Sequence, residues 1–315
     1  MAARSFVSGY NAFVPATALG RRPVPLVLAG ALAISFSAIL YQYSEVSPST
    51  GAFFRCLWAL PPLWLIAWLE DRRFGPRSRR SRLIAWSAGV LFAADLILWH
   101  HAIEQVGAGL ATVLGNTQVV LVALLAWAVL GERPPRAALA SIPVVFAGVV
   151  LISGVFEEGA YGANPALGTV FGVLTGIAYS GFLLTLREAG GDLRRPAGPL
   201  FDATLASAIG CGLYGAIAGD LDPTPSLAAT GWLIVLALSS QVFGWLLITI
   251  SLPRLPAALS SVMLTFQPLC AVLFAALLLD ESPSHAQLLG AACILAGLIV
   301  ASVTRRTPVL EPAQS

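Results

Sequence analysis

Apolar runs of about 20 residues recur along the whole chain, separated by short breaks that carry Gly, Pro, Arg or acidic residues. A helix of that length spans the roughly 30 Å hydrocarbon core of a bilayer. The pattern therefore predicts an all-α integral membrane protein with ten transmembrane helices. We place these helices at residues 24–43, 51–69, 83–103, 109–130, 137–156, 167–186, 199–219, 229–250, 256–279 and 285–303.

One apolar segment occurs twice, since residues 108–152 align without a gap onto residues 257–301 at a constant offset of 149 residues. Both copies contain a glutamine at the same place, Gln118 and Gln267, and both end in Glu-x-Pro, at Glu132 and Glu281. Five predicted helices separate equivalent positions, and an odd number reverses the direction in which a copy crosses the membrane. The sequence therefore predicts two inverted five-helix repeats, an arrangement in which transporters place the substrate between the halves.

The duplication divides the chain into two repeats with short flanking segments. The first repeat is expected to cover residues 24–156 and the second residues 167–303, with an outer connecting loop at 157–166. The N-terminal segment, 1–23, and the C-terminal tail, 304–315, are expected to be cytoplasmic. Residues 1–20 do not resemble a cleaved signal peptide, because polar residues interrupt the early apolar stretch and the arginine pair follows it.

The distribution of charge gives the same topology. Only 11% of the residues are charged, against roughly 25% in soluble domains. With ten helices and a cytoplasmic N-terminus, 17 of the 18 arginines fall on the cytoplasmic side, and the outer loops are acidic. This is the positive-inside pattern of a multi-pass protein of the cell membrane. Because topology accounts for the arginines, we expect no nucleic-acid partner.

Asp95 is the most unusual residue, since it is predicted near the middle of the third span. A charge at that depth costs about 2.5–3.5 kcal/mol on insertion scales, so the carboxyl should face a cavity or a partner. The equivalent position in the second repeat is Gly244, and such broken symmetry suits a site. Trp99 lies on the same helix face and is placed to stack on a substrate. Asp95 is the candidate proton carrier; the alternative is a structural pair that holds two helices together.

Arg55 is the one arginine outside the cytoplasmic set, at the outer start of the second span. A guanidinium there is suited to bind a substrate carboxylate through two parallel hydrogen bonds, or to pair with Asp95. The alternatives are a side chain that extends to the outer interface, or an ion pair with Glu45 or Glu104.

The remaining candidates are amides, a tyrosine and a histidine. Asn116, Gln118 and Gln267 are expected either to bind the substrate or to hold helices together by hydrogen bonds. Tyr179 is a cavity residue or a packing residue of the sixth span. His100 is a candidate to relay protons into the cavity, or else a polar residue at the interface.

The chain also carries the marks of a known family. The blocks ending in LGERP (130–134) and LDESP (279–283), the Ala-Gly pairs that follow them, and Phe-Phe-Arg at 53–55 resemble the drug/metabolite transporter superfamily, specifically its EamA-type ten-helix permeases. The resemblance extends over about residues 24–303. It implies transport of a small metabolite, often the export of amino acids or related compounds, with both termini in the cytoplasm.

Together these features predict a secondary transporter that moves an amino-acid-like or amphipathic metabolite across the lipid bilayer by alternating access, as an exporter coupled to protons. Exchange and facilitated diffusion are alternatives to proton coupling, and a homodimer is an alternative to a monomer. We expect no cofactor, no metal and no enzymatic activity, since the sequence has no phosphate loop and no HExxH motif. The alternative from another class is a non-transporting scaffold or sensor, in which Asp95 and Arg55 pair permanently and no cavity exists. An intramembrane enzyme would need a second acid or a histidine on the face of Asp95.

Overall fold

The computed structural model of the chain describes residues 23–130, 134, 136–192, 194–251 and 263–303. Within these ranges the chain is helical and contains no strand, which confirms the all-α class. The helices are α1 (Pro23–Ser35), α2 (Ser37–Ser44), α3 (Pro48–Phe74), α4 (Arg79–Val106), α5 (Ala108–Gly115), α6 (Gln118–Leu130), α7 (Arg136–Ile152), α8 (Pro165–Ala189), α9 (Ala197–Ala218), α10 (Leu227–Leu236), α11 (Trp245–Ser251), α12 (Phe266–Leu278) and α13 (His285–Val303).

Several helical segments have the dimensions of membrane spans. Among the described residues, seven are long and apolar enough to cross a bilayer: Pro23–Ser44, Pro48–Phe74, Arg79–Val106, Ala108–Leu125, Pro165–Ala189, Ala197–Ala218 and Leu227–Ser251. Shorter apolar helices, Arg136–Ile152, Phe266–Leu278 and His285–Ala301, lie on three other predicted spans. A multi-pass membrane protein is thereby confirmed, and the count of ten spans stays a prediction.

Helix packing follows the 149-residue offset of the sequence. Helices α3 and α9 occupy equivalent positions in the two repeats and pack against each other, as do α7 and α13. Helix α8 packs on α4 and α6, and its counterpart, α1 with α2, packs in the same way on α10, α11 and α12. Two repeats related by a twofold axis would produce this pattern of contacts.

Three of the membrane-crossing segments are interrupted. Phe36 separates α1 from α2, and residues 116–117 separate α5 from α6. Between α10 and α11 the chain forms a π-helix, Ala237–Gly244. The second interruption recurs in the other repeat, where α12 begins after a turn at Thr265, 149 residues beyond Asn116. Interrupted helices are a common way in which transporters expose backbone and side chains to a central site.

The arginine-rich end of the bundle is closed by contacts between the repeats. Glu70, in the last turns of α3, accepts hydrogen bonds from the backbone N–H groups of Ala197 and Gly198, at 3.0 and 2.9 Å. Arg77 donates to the carboxylate of Asp202 at 2.6 Å. A carboxylate stabilises the positive end of a helix, so the first turn of α9 is held against α3 and the loop that follows it.

The acidic end carries a similar contact in the opposite direction. Glu281 Oε1 accepts from the N–H of Ala108 at 2.5 Å, and Oε2 accepts from the N–H of Gly109 at 3.1 Å. Gly107 makes this possible, because its φ of +89° favours glycine and a Cβ there would lie 2.9 Å from Oε1. The pKa of the Glu281 carboxyl is raised, because the effect of burial exceeds the opposite effect of the two N–H groups. Glu281 thus caps α5 from the other repeat. Its equivalent, Glu132, lies outside the described residues.

Glu281→Ala should lower the free energy of unfolding by about 1–3 kcal/mol, because it leaves two buried N–H groups without an acceptor. The measurement is thermal or denaturant unfolding of the purified protein in detergent. Glu158→Ala is the matched control, since Glu158 is exposed and such surface changes stay within about 0.5 kcal/mol. Equal stability of the two variants would show that the cap contributes nothing.

Candidate functional site

A narrow cavity lies between helices of the two repeats, at about half the length of α4. Its volume is about 60 Å³, well below the roughly 300–1,000 Å³ of ligand pockets. At this volume the cavity is too small for a metabolite, so it has to widen before it accepts a solute. Its polar lining consists of Ser37, Arg55, Asp95, Thr112, Asn116, Thr175, Tyr179 and Gln267.

Asp95 is buried in this wall, with 6% of its surface exposed. Among the described residues its carboxyl accepts no hydrogen bond and forms no ion pair, although it interacts electrostatically with Arg55. An acid buried without a partner is costly, and the cost is recovered when a proton or a cationic group binds it. The permanent Asp95–Arg55 pair expected of a scaffold is absent from this part of the chain.

Arg55 is equally buried, with 4% of its surface exposed, which does not fit a side chain that extends to the interface. Its Nε donates to Gln241 Oε1 at 3.2 Å, and its guanidinium carbon lies 5.6 Å from the centre of the Trp99 ring. Within the described residues the two terminal nitrogens of Arg55 make no hydrogen bond. Glu104, one of the predicted partners of Arg55, instead accepts a hydrogen bond from the Tyr41 hydroxyl. Arg55 therefore presents free donors to the cavity.

Aromatic rings form the apolar part of the wall. Trp245 lies 6.1 Å from Tyr179, with the ring planes at 85°, and 6.1 Å from Phe92, with the planes at 78°. Trp99 also lines the cavity, and its ring lies beside the Arg55 guanidinium. These edge-to-face rings offer a surface for an apolar or aromatic group of a solute. Sequence reasoning missed Phe92 and Trp245.

The amides divide between the cavity and the helix contacts. Asn116 lines the cavity at the break between α5 and α6, and its Nδ2 donates to the carbonyl of Thr112 at 2.8 Å. Gln267, just after the equivalent break, also lines the cavity. Gln118 does not line the cavity. It is buried elsewhere, and its backbone carbonyl accepts a hydrogen bond from the Ser180 hydroxyl at 3.3 Å. The two duplicated glutamines therefore do not meet at the site.

His100 is outside the cavity lining and fully buried. It therefore lies neither at the cavity, as a proton relay would, nor at the membrane interface. Its Nδ1 lies 2.6 Å from the carbonyl oxygen of Leu96, a contact that assigns the proton to Nδ1. The ring packs edge-on against Tyr41, with the centroids 4.3 Å apart, and contacts Trp99 on the same helix. In this structure His100 is a packing residue behind the site.

An all-helical, duplicated membrane fold that encloses a charged cavity between its repeats defines a class, the repeat-built membrane transport proteins. The model of the EamA-like transporter family matches residues 21–154 and 166–303, one match for each repeat, so the chain belongs to that family. The resemblance noted in the sequence is confirmed. The family is one of membrane transporters, whose partners are a small-molecule substrate and the lipid bilayer.

Solved structures also contain this fold. One chain, described only as "Crystal structure of protein", superposes with a TM-score of 0.60 over 90% of this chain and 97% of its own length, at 16% sequence identity. At that identity the likeness concerns the fold alone.

Proposed function

We propose that the protein exports a small zwitterionic or amphipathic metabolite of the amino-acid type across the cell membrane by alternating access. The observation that carries this proposal is a pair of buried charges, Asp95 and Arg55, which line one cavity between the repeats and form no ion pair within the described residues. A solute with an ammonium group and a carboxylate would satisfy both charges. The aromatic wall would hold its apolar part.

The same site suggests how protons drive export. The carboxyl of Asp95 holds either a proton or the ammonium group of a solute, so the two compete for one position. A proton that enters from an acidic exterior would release the solute outward, and proton loss to the cytoplasm would prepare the site for the next solute. In an exchanger, two solutes would compete for Asp95 in the same way, and no proton gradient would be needed.

The small volume of the cavity also agrees with alternating access, in which the site widens when one end of the bundle opens. We propose the ten-span topology, with inverted repeats and both termini in the cytoplasm, so that Glu70 and Arg77 close the inner end. The Glu281 cap closes the outer end. Opening one end while the other stays closed would admit solute from one side only.

Flux into proteoliposomes tests this proposal. Labelled amino acids, among them L-phenylalanine and L-leucine, are offered with and without a pH gradient, and protein-free vesicles give the background. We expect saturable uptake of at least one zwitterion, accelerated by the gradient. Failure of every solute to move, with protein shown to be folded after reconstitution, would instead favour the scaffold or sensor.

A further inference from the structure

We propose that Gln241 is the positioning residue of the site, which holds the Arg55 guanidinium in place and thereby sets a preference for solutes that carry a carboxylate. The inference rests on the proposed function, because it assigns a role within the same site. No sequence motif marks Gln241, which lies in the apolar segment LSSQVFGW.

Hydrogen bonds at both ends of the amide fix the Gln241 side chain. Its Oε1 accepts from Arg55 Nε at 3.2 Å, and its Nε2 donates to Thr204 Oγ1 at 3.2 Å. Both Gln241 and Thr204 are fully buried. The amide cannot be reversed, because guanidinium nitrogens only donate and a reversed amide would place two donors together. Gln241 thus has one allowed orientation.

This contact determines what Arg55 has left to offer. A guanidinium has five N–H donors in a rigid planar fork, and Gln241 takes the single one at Nε. The plane of the fork is then set, and the four N–H groups of the terminal nitrogens remain for the cavity. A planar carboxylate accepts two such parallel bonds, and a fork fixed in advance loses little freedom when it binds one.

The repeat symmetry shows why only one arginine is held in this way. Thr204 is the repeat equivalent of Arg55, since 204 minus 55 is 149, and Phe92 is the equivalent of Gln241, since 241 minus 92 is 149. The chain of bonds therefore joins Arg55 to its own counterpart across the contact of α3 with α9. At the mirrored position a phenyl ring replaces the amide, so no second carboxylate site is built there.

The backbone around Gln241 is also unusual. It lies in the π-helix Ala237–Gly244, whereas the equivalent residues 88–95 form regular α-helix within α4. A π-helical turn holds more residues than an α-turn and so changes the direction of the side chains, and such turns are frequent at functional sites. The π-helical turn therefore contains Gln241, the residue that binds Arg55.

Hydrogen exchange at Arg55 tests the positioning contact without any solute. In protein labelled with ¹⁵N-arginine, the Nε–H signal of Arg55 is assigned by its absence in Arg55→Lys. We expect slow exchange in the wild type and in Gln241→Glu, which keeps an acceptor, and exchange at least about tenfold faster in Gln241→Met, which has none. Ser239→Ala, in the same π-helix, is the control and should leave exchange unchanged. Equal protection in the wild type and Gln241→Met would overturn the proposal.

Transport of two matched probes tests the consequence for selectivity. L-Phenylalanine carries a ring, an amine and a carboxylate, and phenethylamine lacks only the carboxylate. Gln241→Met should raise the half-saturation concentration of L-phenylalanine about tenfold, with little change in its maximal rate, and should leave that of phenethylamine unaltered. An equal loss for both probes would mean a merely structural role and would overturn the proposal. If the wild type moves neither probe, the proposed function fails for this solute pair, and the exchange measurement alone decides the role of Gln241.

Discussion

Asp95→Asn should abolish transport driven by a pH gradient, with the initial rate at least about 100-fold below that of the wild type. The asparagine amide keeps the size of the side chain, but it carries no charge and binds no proton near neutral pH. An ammonium group that enters the site would lose the counter-charge that Asp95 provides. Removal of one partner from a buried charge pair typically costs 2–5 kcal/mol, which sets the expected loss of rate.

The measurement is the initial rate of solute flux in proteoliposomes, with and without a gradient, for Asp95→Asn and for Asp95→Glu. Glutamate keeps the acid, so part of the coupled flux should return. Glu158→Gln, an exposed carboxyl outside the cavity, is the matched control. Flux that survives in Asp95→Asn and ignores pH would make Asp95 structural and the protein an exchanger or a facilitator.

Arg55→Gln should lower the uptake of L-phenylalanine at least about 30-fold and leave uptake of phenethylamine within a few-fold of the wild type. The substitution removes the donors that face the cavity, so the carboxylate of the solute would enter without a partner. The amine and the ring would still meet Asp95 and the aromatic wall.

The matched control is Arg80→Gln, because Arg80 is exposed at the arginine-rich end and its ion pair within the described residues is with the exposed Glu188. Competition between the two probes for a single labelled solute gives the selectivity directly. An equal loss for both probes, accompanied by a lower melting temperature, would assign Arg55 a structural role instead of a role in binding.

The fold was largely predictable because hydropathy reports what a helix spanning a bilayer requires. The predicted span 24–43 agrees with Pro23–Ser44 in length, but its interruption at Phe36 leaves no trace in composition. The fifth predicted span, 137–156, ends too late, since α7 stops at Ile152 and a turn follows. Hydropathy averages over a window, so it does not register a break of one or two residues.

The residues that line the candidate cavity were predictable where the sequence broke its own pattern. Asp95 and Arg55 were found because a charge within an apolar run is rare and costly. Phe92 and Phe243 look alike in the sequence, yet the first is buried on the cavity wall and the second is 52% exposed. Gln118 was chosen by symmetry, but the cavity is asymmetric and lies against only one of the two glutamines.

Gln241 shows what a pattern within one chain misses. Its function depends on a partner 186 residues away and on a π-helical turn, and neither is visible in local composition. The repeat offset was the one available signal, because it pairs Arg55 with Thr204 and so points to the surroundings of α9.

Access to the cavity from the two sides of the membrane tests the central claim most directly, because it needs no knowledge of the solute. Thr175 lines the cavity and is 2% exposed, so Thr175→Cys, in a background without the four native cysteines, places one thiol in the buried cavity wall. A membrane-impermeant thiol reagent is then applied to right-side-out and to inverted vesicles. Alternating access predicts slow labelling from both sides, and faster labelling from one side when a pH gradient favours one opening. Absence of labelling from both sides, with the thiol reactive after denaturation, would contradict a transport site between the repeats.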